Sequence, residues 1–104
     1  MNVLDRLAAT IATRKGADPD ASWTAKLLAM GPEKAAEKFG EEAVEAIIAA
    51  VAGDGRALAA EAWDGVCHLR VMLAARDVAW AGVAAELQRR EGVSGIDEKA
   101  ARQR

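Results

Sequence analysis

Several things are scarce in this chain of 104 residues, and each scarcity closes off a class of protein. One cysteine, Cys67, excludes an internal disulfide framework and a multi-cysteine zinc site. One histidine, His68, excludes a di-iron carboxylate bundle, which needs a Glu-x-x-His repeat on two helices. No apolar run approaches the roughly 18 residues of a membrane span. The opening Met1-Asn2-Val3-Leu4-Asp5-Arg6 lacks the basic-then-apolar layout of a secretion signal. A soluble, intracellular, cytoplasmic protein is expected. The formal net charge of −2 leaves no basic field to hold nucleic acid or an anionic membrane. A phosphate-bearing partner must therefore be held by local cations or by a metal.

Strand signals are missing too. β-Branched runs of period two are absent, while alanine, leucine, glutamate and arginine dominate, which favours helix. The length suits one domain spanning residues 1–104. A first helix is expected over Val3 to Thr13, capped by Asn2, with a loop in Arg14 to Ala21. Ser22 caps a short helix that stops at Gly31-Pro32. Pro32 opens a long helix to Ala52, ended by Gly53, with Phe39, Ala43, Val44, Ile47, Ala50 and Val51 as its apolar arc. Asp54 caps a third long helix, Gly55 to Arg76. A fourth covers Trp80 to Glu91, and the tail VSGIDEKAARQR carries a short helix capped by Ser94 or Asp97. The whole reads as an all-α antiparallel bundle of four to five helices that gains stability by pairing with a copy of itself.

Two acidic clusters carry the chemistry. Glu41, Glu42 and Glu45 lie three and four residues apart and point to one side of their helix. Alone, they could be a solvated acidic face with Lys38 one turn away. Glu61, Asp64 and His68 form a second stripe at i, i+3 and i+7, set among Leu58, Trp63, Val66, Leu69, Val71 and Met72. A carboxylate among such residues costs several kcal/mol unless paired or metal-bound. Two helices offering such groups to each other make a cage of hard oxygens, suited to Mg²⁺ or Mn²⁺. A carboxylate left over from coordination can orient or deprotonate a water. His68, one turn past Asp64, suits a supporting hydrogen bond to that carboxylate.

The pattern Glu41-Glu42-x-x-Glu45, fifteen residues, then Glu61-x-x-Asp64, resembles the motif of the MazG-like all-α nucleotide pyrophosphohydrolases. Within that group the chain is similar to phosphoribosyl-ATP pyrophosphohydrolases. The segments LDRLAATIATRKGADPDASWTAKLL, GPEKAAEKFGEEAVEAI, VMLAAR and REGVSGIDEKAARQR carry the similarity across nearly the whole chain. The resemblance implies hydrolysis of phosphoribosyl-ATP to phosphoribosyl-AMP and pyrophosphate, a step of histidine biosynthesis, by a Mg²⁺-dependent homodimer or higher homo-oligomer. It implies metal ligation by Glu42, Glu45, Glu61 and Asp64, with Glu41 and Glu45 as catalytic groups. It implies phosphate or substrate contacts from Lys34 and Lys38, from Ser22, Trp23 and Thr24, and from Arg89, Arg90, Ser94, Lys99 and Arg102 in a closing tail.

One stretch departs from the family. EAWDGVCHLRVMLAARD stands where EAADLLYHLLVLLAARG is usual, which puts Trp63, Cys67, Arg70 and Asp77 on one stripe and Gly65 in mid-helix. Such clustering suggests a rewritten interface or pocket wall, with Trp80 on the same surface. A helical scaffold with weak or no catalysis is therefore an alternative, and a hydrolase of other nucleotides a second.

Overall fold

The computed structural model describes residues 2–102. Among them every regular element is a helix: α1 (Val3–Arg14), α2 (Trp23–Met30), α3 (Pro32–Ala52), α4 (Gly55–Ala75), α5 (Trp80–Arg89) and α6 (Gly95–Arg102). These are six rather than four to five. The short α2 and α6 each stand alone because capping residues isolate them.

Local chemistry sets the boundaries. Asn2 Oδ1 accepts the Asp5 N–H at 2.9 Å and the Asp5 carboxylate accepts the Asn2 N–H at 3.3 Å, a reciprocal cap for α1. Ser22 Oγ accepts the Ala25 N–H and Asp54 Oδ1 accepts the Ala57 N–H, starting α2 and α4. Gly31, at φ 95° and ψ 174°, turns the chain where a side chain is strained, and Pro32 follows at the first helical position. Gly53, at φ 78°, ends α3, and the Asp54 N–H reaches back to the Ala49 carbonyl. A two-residue connection, Gly53-Asp54, therefore folds α3 against α4 as an antiparallel hairpin.

The end of α4 uses the same geometry with a harder residue. Asp77 N–H bonds the Ala74 carbonyl and Val78 N–H the Leu73 carbonyl, with Asp77 at φ 59°. A left-handed non-glycine residue costs about 1 kcal/mol, and aspartate is among those that tolerate it. The Asp77 carboxylate pairs with Lys15, whose ammonium also donates to the Ala74 carbonyl at 3.2 Å. α4 stops at Ala75 and α5 at Arg89, short of the expected Arg76 and Glu91, because each final turn closes through the following backbone N–H groups.

The core is small. Ile11, Leu27, Ala35 and Val71 meet at its centre, with Leu7, Leu28 and Met72 packed around them. α1 and α2 lie across the hairpin, whereas α5 and α6 form an arm with little packing on the other four helices. The radius of gyration is 15.8 Å, against about 13 Å for a compact chain of this length.

The expected apolar arc of α3 is not buried by this chain. Val44, Ile47 and Val51 are 53%, 60% and 84% exposed, and Ile48 is exposed beside them. Periodicity identified an apolar face; among the described residues no other helix covers it.

Candidate functional site

The hairpin brings acids from two helices together. Glu42 and Glu45 of α3 and Glu61 of α4 each offer a carboxylate oxygen, and these atoms all lie within 4.8 Å of one another. Glu42 and Glu61 are half-buried and Glu45 is exposed. Glu61 Oε2 is shut off from solvent and has no hydrogen-bond partner. A hydrogen bond with Glu45, then burial, then the negative charges of Glu45, Asp64 and Glu42, raise the Glu61 carboxyl above the ordinary carboxylate range. Three acids this close repel one another, and a shared proton or a cation between them relieves that repulsion. The donor set is all oxygen, which fits Mg²⁺ or Mn²⁺ rather than a thiolate-seeking metal. A groove of about 300 Å³ runs from Glu45 and Glu61 towards the turn, past Ile48, Ala49, Ala52 and Ala57.

Two of the expected acids stand outside this trio. Asp64 is exposed, one turn past Glu61, close enough for its charge to act on that carboxyl. The acidic stripe of α4 is thus less buried than its apolar neighbours in sequence suggest, since α4 packs chiefly on α3, with smaller contacts to α1 and α2. Glu41 turns to Lys38 instead, at 2.9 Å; this bond holds the Glu41 carboxyl low and the Lys38 ammonium high. His68 Nδ1 lies 2.8 Å from the backbone carbonyl of Asp64, not its carboxylate. The i−4 carbonyl on its own helix is simply nearer, so the expected support of the Asp64 side chain gives way to a local helix bond.

The cations and the substrate element divide between near and far. The Lys38 ammonium sits 5.8 Å from the centre of the Trp23 ring, which brings the start of α2, with Ser22 and Thr24, beside the acid-bearing face of α3. Ser22 is already occupied as the α2 cap. Lys34 pairs with Glu37 at 3.3 Å. Arg89 and Arg90 are engaged by Glu86 and by the buried Glu98, which Arg102 also approaches. Ser94 Oγ accepts the Asp97 N–H as a cap, and Lys99 is exposed. The helices α5 and α6 of this arm pack little on α3 and α4, which carry the acid trio.

A family model described as phosphoribosyl-ATP pyrophosphohydrolase matches residues 4–91. The chain belongs to that family. Proteins named phosphoribosyl-ATP pyrophosphatase from Dinoroseobacter shibae and Cereibacter sphaeroides are each 74% identical to it over 102 residues, covering 98% of this chain and 100% and 99% of theirs. One of the same name from Paracoccus denitrificans is 71% identical over 99 residues, covering 95% and 92%. In this phosphoribosyl-ATP pyrophosphohydrolase family member the unusual α4 stripe divides in two. Trp63 is 41% exposed on the surface, while Arg70 is buried with its guanidinium carbon 3.9 Å from the Trp80 ring centre. Cys67 is half-buried, and burial pushes its thiol up, away from nucleophilic use. The Arg70–Trp80 contact spans a helix break, so no periodicity in the sequence signals it, although Trp80 was expected on that surface.

Proposed function

We propose that the chain hydrolyses phosphoribosyl-ATP to phosphoribosyl-AMP and pyrophosphate, as a cytoplasmic step of histidine biosynthesis, in one domain that works as a homodimer. The observation that carries this reading is the convergence of Glu42, Glu45 and Glu61 with a buried Glu61 oxygen left unpartnered. With Asp64 these residues hold Mg²⁺, which draws charge off the phosphate oxygens when bound. Glu45, the most open of the trio, orients the attacking water. Glu41, kept ionised by Lys38, stands beside that path, and Lys34 and Lys38 face the phosphates. Among the described residues no helix is long and apolar enough to cross a membrane.

Two quantities favour the homodimer. The accessible surface is 7159 Å², against about 5600 Å² for a compact monomer of this mass. The exposed Val44, Ile47, Ile48 and Val51 lie together on α3, an apolar patch that a second copy can cover. The arm then reaches substrate from the partner, with Arg89 and Arg90 exchanging carboxylates for phosphates and Ser94 and Lys99 joining them. No observation favours the scaffold reading.

Pyrophosphate release from phosphoribosyl-ATP, with and without Mg²⁺, tests the proposal. Glu61→Gln should lower turnover on the order of a hundredfold or more, because one ligand charge is lost from the centre. A parent chain that is inert at saturating Mg²⁺, or a Glu61→Gln variant as active as the parent, sinks it. Because the proton on Glu61 is held above the usual range and must leave for a cation to bind, the Mg²⁺ concentration for half-activity should rise as pH falls.

A further inference from the structure

A second cleft, of about 380 Å³, opens between α1, the end of α4 and the start of α5. It uses none of the acid trio. Its walls are mostly apolar, from Ile11, Leu73, Val78 and the Trp80 ring, and its polar members are Arg70, Lys15 and Asp77. A cleft of this size matches small-ligand sites, which are lined by apolar groups with a few polar ones that fix orientation.

The charges in it do not balance. Lys15 and Asp77 pair with each other, and the Lys15 ammonium also caps the Ala74 carbonyl. Arg70 is only 4% exposed, and both its terminal nitrogens are buried without a hydrogen-bond partner. Its guanidinium lies against the face of Trp80. Burial pulls its guanidinium below the usual range, with Asp5 acting on it only through space while engaged in the Asn2 cap. A buried fork of donors with nothing to bond is costly unless a complementary acceptor arrives.

We propose that this cleft binds a small organic carboxylate, its two oxygens taken by the free nitrogens of Arg70 and its apolar body seated against Ile11, Leu73, Val78 and Trp80. The one guanidinium without a hydrogen-bonded partner suits a monoanion, its planar fork can take two oxygens at once, and the apolar walls favour an organic carboxylate over inorganic phosphate. Access is through Trp80. That residue opens α5 directly after the Asp77–Ala79 link, and α5 packs little on the bundle, so the ring can yield without disturbing the core.

The test is a ¹⁵N NMR titration of the full chain with benzoate, using benzamide as neutral isostere and inorganic phosphate as a competing anion. Benzoate should saturably shift the Arg70 side-chain and Trp80 indole signals, benzamide should bind at least about tenfold more weakly, and phosphate should leave those signals unmoved. Arg70→Leu should abolish benzoate binding while melting at the same or a higher temperature, since it removes an unpaired buried charge. The benzoate–benzamide comparison needs no variant and decides the matter if Arg70→Leu fails to fold. Equal affinity for the two probes, binding retained in Arg70→Leu, phosphate shifting the same signals, or no saturation up to ~10 mM each overturns the proposal. The readout is binding alone, so the outcome is independent of any turnover measured at the acid trio.

Discussion

In α1–α4 the buried side chains, Arg70 apart, are apolar: Ile11, Leu27, Ala35 and Val71 touch one another. In α5–α6 the one buried residue is Glu98, with Arg89, Arg90 and Arg102 within 3.1, 3.6 and 3.8 Å of its carboxylate. The first region rests on water exclusion, which is non-directional and hardly affected by ionic strength. The second rests on ion pairs whose arginines are 39–60% exposed, and such pairs contribute little and weaken with salt. A rigid bundle therefore carries the acid trio, and a loosely held arm carries the cations. The proposed phosphate role of Arg89 and Arg90 needs such looseness, because their carboxylate partners must be exchanged for phosphate oxygens.

Three perturbations sharpen the contrast. The largest effect belongs to Leu27→Ala, which empties a side chain that is 1% exposed in the bundle centre. It should cost about 2–5 kcal/mol in urea unfolding and move the bundle, not the arm. A smaller effect of opposite sign is expected at Gly65. A methyl group built there meets no atom within 4 Å, so Gly65→Ala should add about 0.5–1 kcal/mol through helix propensity, read from the melting temperature. A loss there instead would mean that another surface packs against α4 at this point.

The smallest effect separates the two regions by pH. Hydrogen bonds from Arg89 and then Arg90 depress the Glu86 carboxyl to about 2, below its ordinary value of 4.5. A depressed carboxyl contributes stability that is full above its unfolded value and is lost as pH falls through the folded one. The protection of the α5 and α6 amides, taken relative to their intrinsic exchange at each pH, should therefore hold down to about pH 4.5 and fall towards pH 2. Glu86→Gln should make the arm indifferent to that window. Loosening of bundle and arm together would mean that one network holds both.

Much of the bundle was legible because its stops are chemical. Gly31-Pro32 and Gly53-Asp54 admit few conformations, and Asn2, Ser22 and Asp54 cap the helices assigned to them. The acid trio was legible for a related reason, since spacings of three and four on two helices joined by a tight turn leave few ways to face apart. What could not be read depends on contacts between elements. An apolar arc on α3 says nothing about which neighbour covers it. His68 and Glu41 had two partners each within reach, and sequence does not rank an Asp64 carbonyl over its carboxylate or Lys38 over a metal. Arg70 appeared partnerless along its own helix because Trp80 comes back to it from beyond a helix break.

The connection Gly53-Asp54 also acts as a ruler. Glu45 and Glu61 each stand eight residues from Gly53, and Glu42 and Asp64 each stand eleven, so the two helices offer their acids at matching heights. One residue inserted in α4 between the link and Glu61 shifts that acid by about 1.5 Å along the helix and turns it by roughly 100°, carrying it off the seam. The number of residues between the link and each acid is consequently as much a part of the chemistry as the acids are.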